Sequence, residues 1–192
     1  MAKFFGNLHL VLVTGLVLAF AVMFGVAAET VSGSSILRWL HTLVGILWIG
    51  LLYYFNFVQI PTMPKIPAEL KPGISKHIAP SALFFFRWAA AFTVLFGLAV
   101  AIHPVQGGES YLIQALTLQD PYKLIGVGMW LAIIMAFNVW FIIWPNQKKA
   151  LGIVDADDAA KAKAATTAMM TSRLNTLLSI PMLYCMVSFN GG

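Results

Sequence analysis

Apolar residues gather in four long runs and a fifth, weaker one, separated by short polar or proline-rich stretches. Runs of this length are read as helices long enough to cross a bilayer. They predict helices over about 8–28, 36–60, 81–102, 122–144 and 172–188. The second is the most patterned. At 100° per residue, Arg38, His41, Gly45, Trp48, Leu52, Asn56 and Gln59 fall within about 80° of one another. The strongly polar residues of that span thus lie on one stripe, expected to face other helices, while Leu43, Ile46, Ile49, Leu51 and Tyr54 look outward.

Between these runs, Pro61, Pro64, Pro67, Pro72 and Pro80 predict an irregular loop, because proline lacks an amide donor and its ring obstructs a helix interior. Pro145 is expected to end the fourth helix. His103 to Pro121 reads as a loop that includes Gly107, Gly108 and Glu109 and holds a short interfacial piece near Tyr111 to Leu118. Asn146 to Lys163 reads as a short amphipathic helix with Asp155 as a cap, and Pro181 is expected to kink the fifth helix. The first run, behind Lys3, reads as a retained helix rather than a cleaved signal peptide.

Composition raises this pattern to a class. Hydrophobic residues make up 60% and charged residues 10% of the 192 positions, and the mean hydropathy is +0.84. The expectation is an all-α integral membrane protein, a single five-helix domain over 1–192 with the bilayer as its first partner. The net charge of +5 does not signal nucleic acid, because it is unevenly placed. Nine of the twelve Lys and Arg residues (Lys3, Lys65, Lys71, Lys76, Lys148, Lys149, Lys161, Lys163, Arg173) fall on the side of the amino terminus. Arg38 and Lys123 fall opposite, and Arg87 lies within a helix. By the positive-inside rule the amino terminus is cytoplasmic and the carboxy terminus periplasmic, as in a multi-pass protein of the bacterial inner membrane.

The chemistry this sequence excludes is as informative as what it offers. There is no phosphate-binding glycine loop, nucleophile elbow or zinc spacing, and the single Cys185 forms no internal disulfide. None of the seven acidic residues falls in a predicted span, which weakens proton-pump and cation-transporter readings. What remains is histidine and amide chemistry. His41 is a candidate axial ligand for haem iron or a histidine hydrogen-bonded across the bundle; Trp48 lies two turns further on, and Gly45 would admit either a flat macrocycle or a close helix. His103, at the same predicted side of the bilayer, is the candidate second ligand. Lys123 would pair with a propionate or simply snorkel. Asn56, Gln59, Arg87, Asn138, Arg173 and Asn175 form a second polar set, read either as a structural network holding Arg87 or as an anion or quinone-head site. Ser172, Asn175, Ser179, Met182 and Met186 share one face of the last helix.

The wording LHTLVGILWIGLLYYFNFVQ in the second helix resembles the membrane domain of PuuD-type urate hydroxylases and, more distantly, the haem-ligand helix of HemJ-type protoporphyrinogen oxidases. KHIAPSALFFFRWAAAFTVLFGL, KLIGVGMWLAIIMAFNVWFIIWPNQKK and TSRLNTLLSIPMLYCM follow in the order both families use. The resemblance implies an inner-membrane redox protein holding one haem b through His41 and passing electrons to or from a cytochrome c or respiratory complex; apart from the resemblance, a further copy of the chain is a candidate partner. Its alternatives are a haem-free accessory subunit of such an assembly and a HemJ-like oxidase. Longer PuuD-type proteins carry extra histidines in the segments matching Phe84, Ile125 and Leu174, and a carboxy-terminal cytochrome c. This sequence holds neither, which weakens the expectation of multi-haem transfer and urate chemistry.

Overall fold

The computed structural model describes residues 1–103 and 110–189, and among them all regular structure is helical. After a single turn at Ala2–Phe5 the chain forms α1 (Leu8–Gly25), α2 (Gly33–Lys65), α3 (Lys71–Ile102), α4 (Leu112–Leu116), α5 (Lys123–Ala150) and α6 (Asp158–Ser188). Of these, α1, α2, α3 and α5 are long and apolar enough to cross a membrane. The fifth predicted helix is present but longer than expected, because α6 runs unbroken from Asp158 through Pro181. Gly107, Gly108 and Glu109 of the predicted loop lie outside the described residues.

Two expectations about proline are corrected together. The stretch from Pro61 to Pro80 is mostly helical, with only 66–70 between α2 and α3, and α5 runs through Pro145 to Ala150. In each case a π-helical turn ends two residues before the proline. Tyr54–Gln59 precedes Pro61, Ile74–Ile78 precedes Pro80, and Asn138–Ile143 precedes Pro145. Proline has no amide to donate, and its ring collides with the carbonyl four residues back. The wider turn shifts that carbonyl, so the proline can open a new α-helical turn where no donor is required. The cap of α6 is also corrected. Asp157, not Asp155, accepts from the Ala160 amide at 2.7 Å, and Asp155 lies in the connection before it.

At the other end of the bundle Ser32 opens α2 through a capping box with Ser35. The core forms where α2 packs along α3 and α5 along α6, with Trp48, Leu52, Phe86, Met135 and Val139 fully buried between them. Leu43 and Ile46 look outward as expected, whereas Ile49 is buried. Close approach of α5 to α6 depends on Gly128, where an added Cβ would lie 2.8 Å from Cys185 Cβ. By contrast α1 buries no residue; a ring contact of 6.5 Å joins its Phe20 to Trp39. Apolar side chains gain little by leaving lipid for protein, so interhelical hydrogen bonds and tight packing carry more of the bundle than they would in water.

Candidate functional site

Two polar regions lie along the stripe of α2. The first is built on His41. Its Nδ1–H donates to the Thr93 carbonyl of α3 at 2.8 Å, while the Thr93 hydroxyl donates back to the Ala89 carbonyl at 2.7 Å. The imidazole sits on Gly97, where an added Cβ would lie 2.8 Å from His41 Cε1. A Cβ added at Gly45 would meet the Thr93 methyl at 3.7 Å, an ordinary contact, so the helices there do not require a glycine. A cavity of about 30 Å³ lies beside the ring, lined by apolar residues that include Met129 and Met186.

That geometry bears directly on haem. A donating Nδ1 fixes the tautomer and leaves Nε2 as the free ligand atom, the arrangement typical of metal-bound histidines. The donor chemistry therefore fits an axial ligand. The space does not, because the cavity has room for a water molecule and a tetrapyrrole is many times larger. Nor does a second imidazole face His41: His103 packs against Gly33, with its Nε2 2.8 Å from where a Cβ would be, and Gly33 precedes His41 by about two helical turns. Trp48 is wholly buried, and its indole Nε1 has no hydrogen-bond partner. Lys123 is exposed at the start of α5.

Near the His103 end, Tyr111 stacks on Tyr122 at 5.1 Å and meets Phe189 at 5.8 Å. Burial pushes the Tyr111 phenol above its ordinary pKa, with the positive charge of Arg38 opposing.

The second region is the polar set at the lysine-rich end, which is divided into separate links rather than gathered around Arg87. Asn138 Nδ2 donates to Asn175 Oδ1 at 2.8 Å, and Asn175 Nδ2 donates to the Met135 carbonyl at 2.9 Å, which ties α5 to α6. Asn56 Nδ2 donates to Ser172 Oγ at 2.8 Å and to the Leu52 carbonyl at 2.9 Å, and Tyr53 pairs with Ser179 at 3.0 Å, which ties α2 to α6. The Arg87 guanidinium lies 3.4 Å above the Trp144 ring, and the Arg87 carbonyl accepts from Trp140 Nε1. The aromatic face stabilises the cation without a carboxylate, although the Arg87 Nη1 is buried with no hydrogen-bond partner. Arg173 is exposed.

Beside these links is a cavity of about 140 Å³, whose polar lining is Gln59, Gln147 and Ser172. The Oε1 atoms of Gln59 and Gln147, and the neighbouring Oδ1 of Asn56, are buried with no hydrogen-bond partner. Gln147 was not among the candidates, since the fourth helix was expected to end at Pro145 and Gln147 to belong to a separate amphipathic helix beyond it. Thr93 and Gly97 were missed as well. A lone glycine within an apolar helical run was the available signal for Gly97, but nothing in sequence predicts which carbonyl a histidine meets.

Residues 111–190 match the family model described as urate oxidase N-terminal. The urate oxidase N-terminal match covers less than half of the chain and takes in α4, α5 and α6, with Lys123, Asn138, Gln147, Ser172 and Asn175 inside it. His41, Asn56, Gln59 and Arg87 lie outside the matched stretch. No curated protein and no solved structure matches the chain.

Proposed function

We propose that this chain is a haem-free membrane subunit of an oxidase or respiratory assembly, similar to the urate oxidase N-terminal family, in which His41 clamps α2 to α3. It crosses the bacterial inner membrane five times, α6 included, with a cytoplasmic amino terminus and a periplasmic carboxy terminus. One observation carries the reading: the His41 ring is tied to the Thr93 carbonyl and seated on Gly97 beside a water-sized cavity. The resemblance to a membrane module that works with a redox protein supports the placement in an assembly, and the nine-to-two distribution of loop Lys and Arg supports the orientation.

The test is the visible spectrum of protein purified with haem supplied during expression. The proposal expects no Soret absorbance, together with lower thermal stability of His41→Ala. A second reading, electron transfer through haem b, is favoured by the tautomer that frees Nε2. It expects a b-type α-band on dithionite reduction that vanishes in His41→Ala and survives in His9→Ala and His77→Ala. Reporter fusions test the topology separately: fusions between Leu151 and Asp157 should read cytoplasmic and fusions at Gly192 periplasmic.

A further inference from the structure

Buried amide oxygens without partners are uncommon, since each forgoes the hydrogen bonds it would make in water, and several around one cavity call for an explanation. The cavity at the lysine-rich end has them. Gln59 Oε1 and Gln147 Oε1 belong to lining residues on α2 and α5, and Asn56 Oδ1 lies next to the lining Ser172, to which Asn56 donates. One of the proline-linked π turns, Tyr54–Gln59, supplies the lining residues Phe55 and Gln59, and such turns are frequent at functional sites.

We propose that this cavity binds a neutral, membrane-soluble molecule through its hydroxyl donors, a quinol or phenol head group being the class that fits. The three unpaired amide oxygens are acceptors and suit O–H donors, whereas an anion would be drawn to Arg87, whose Nη1 is also buried without a hydrogen-bond partner but which does not line the cavity. A cation is disfavoured because no carboxylate lines the cavity, and Lys65, Lys76 and Lys149 are exposed at the same end. The rest of the lining is apolar, including Phe55, Leu83 and Met169, and suits a ring that arrives from lipid rather than a hydrated solute. Exposed Ala165 and half-buried Ile60 and Leu151 lie at its edge, so entry needs no polar gate. The volume of about 140 Å³ is several times that of the His41 cavity and is large enough for more than water. The inference stands whether or not His41 holds haem.

The test uses the full chain in lipid nanodiscs under anaerobic conditions, with a decyl-substituted benzoquinol as probe and its O,O-dimethyl ether as control. The ether has the same ring and tail but no donor. Calorimetric titration should show saturable quinol binding at least about tenfold tighter than the ether. Gln59→Leu and Gln147→Leu should each weaken the quinol by about tenfold and leave the ether unchanged. Equal affinities, or no saturable binding, would overturn the proposal and leave a cavity that holds only water. The comparison of the two ligands on unaltered protein decides the matter even if a variant fails to fold.

Discussion

The two ends of the α2–α3 pair treat polar groups in opposite ways. Around His41 the polar side chains are committed: His41 and Thr93 each donate one hydrogen bond to a carbonyl, a glycine lies beneath the ring, and the void is water-sized. About 22 Å further along α2, at Asn56, three amide groups keep an unpaired oxygen around a cavity several times larger. Both residues lie on the same sequence stripe, so the stripe marks where polar groups face protein without telling which of them are satisfied. Satisfaction is decided by the neighbouring helix. Regular α-helix on both sides lets Gly97 and Thr93 meet His41 closely, whereas the π turns at the other end change the register and leave donors and acceptors out of step.

The largest expected effect tests whether the links at the amide end hold the bundle. Asn175 is fully buried and bridges Asn138 to the Met135 carbonyl. Asn175→Leu should lower unfolding stability in detergent by about 2 to 3 kcal/mol, since it removes both bonds and strands Asn138. A loss below about 0.5 kcal/mol would mean that packing alone joins α5 to α6 there.

The His41 end is tested next by a pair of variants. His41→Ala should cost about 2 kcal/mol through the lost hydrogen bond and the void left on Gly97. Gly97→Ala alone should cost a similar amount, because its Cβ would collide with the ring. The double variant should cost clearly less than the two together, since the alanine methyl then occupies space the ring has vacated. Strict additivity in thermal melts would separate the two residues and break the picture of a clamp.

Arg87 offers a smaller effect. Because it rests on Trp144 rather than on a carboxylate, Arg87→Leu should cost about 1 kcal/mol, and Trp144→Leu in the same background should add little for the lost stacking. An arginine without an acidic partner suggested asparagines, which the amide pairs use for themselves, and the aromatic face came from a residue expected at the end of a helix. The four long apolar helices, the inward stripe of α2 from His41 to Gln59 and the inward face of α6 at Ser172, Asn175 and Ser179 were legible because each follows from the length or the period of a regular helix. The π turns were not legible, since proline was read as a terminator, and with them went the approach of Gln147 to Gln59. The position of His103 was missed for a related reason: one face of an isolated helix does not say which turn of its neighbour it meets.

The smallest expected effect is the one that separates the two ends most sharply. In the absence of ligand, Gln59→Leu removes a buried oxygen that has no partner, so little native hydrogen bonding is lost and an apolar side chain enters a largely apolar cavity. Replacing an unsatisfied polar group by one of similar shape is nearly neutral or stabilising. The melting transition of the ligand-free protein should therefore move by less than the equivalent of about 0.5 kcal/mol, or move upward. His41→Ala, on the same helix, should lose several times more. If Gln59→Leu instead costs as much as His41→Ala, ordered water must be completing the amide network. The two ends would then differ in what satisfies their polar groups, water in one and protein in the other, and not in whether they are satisfied.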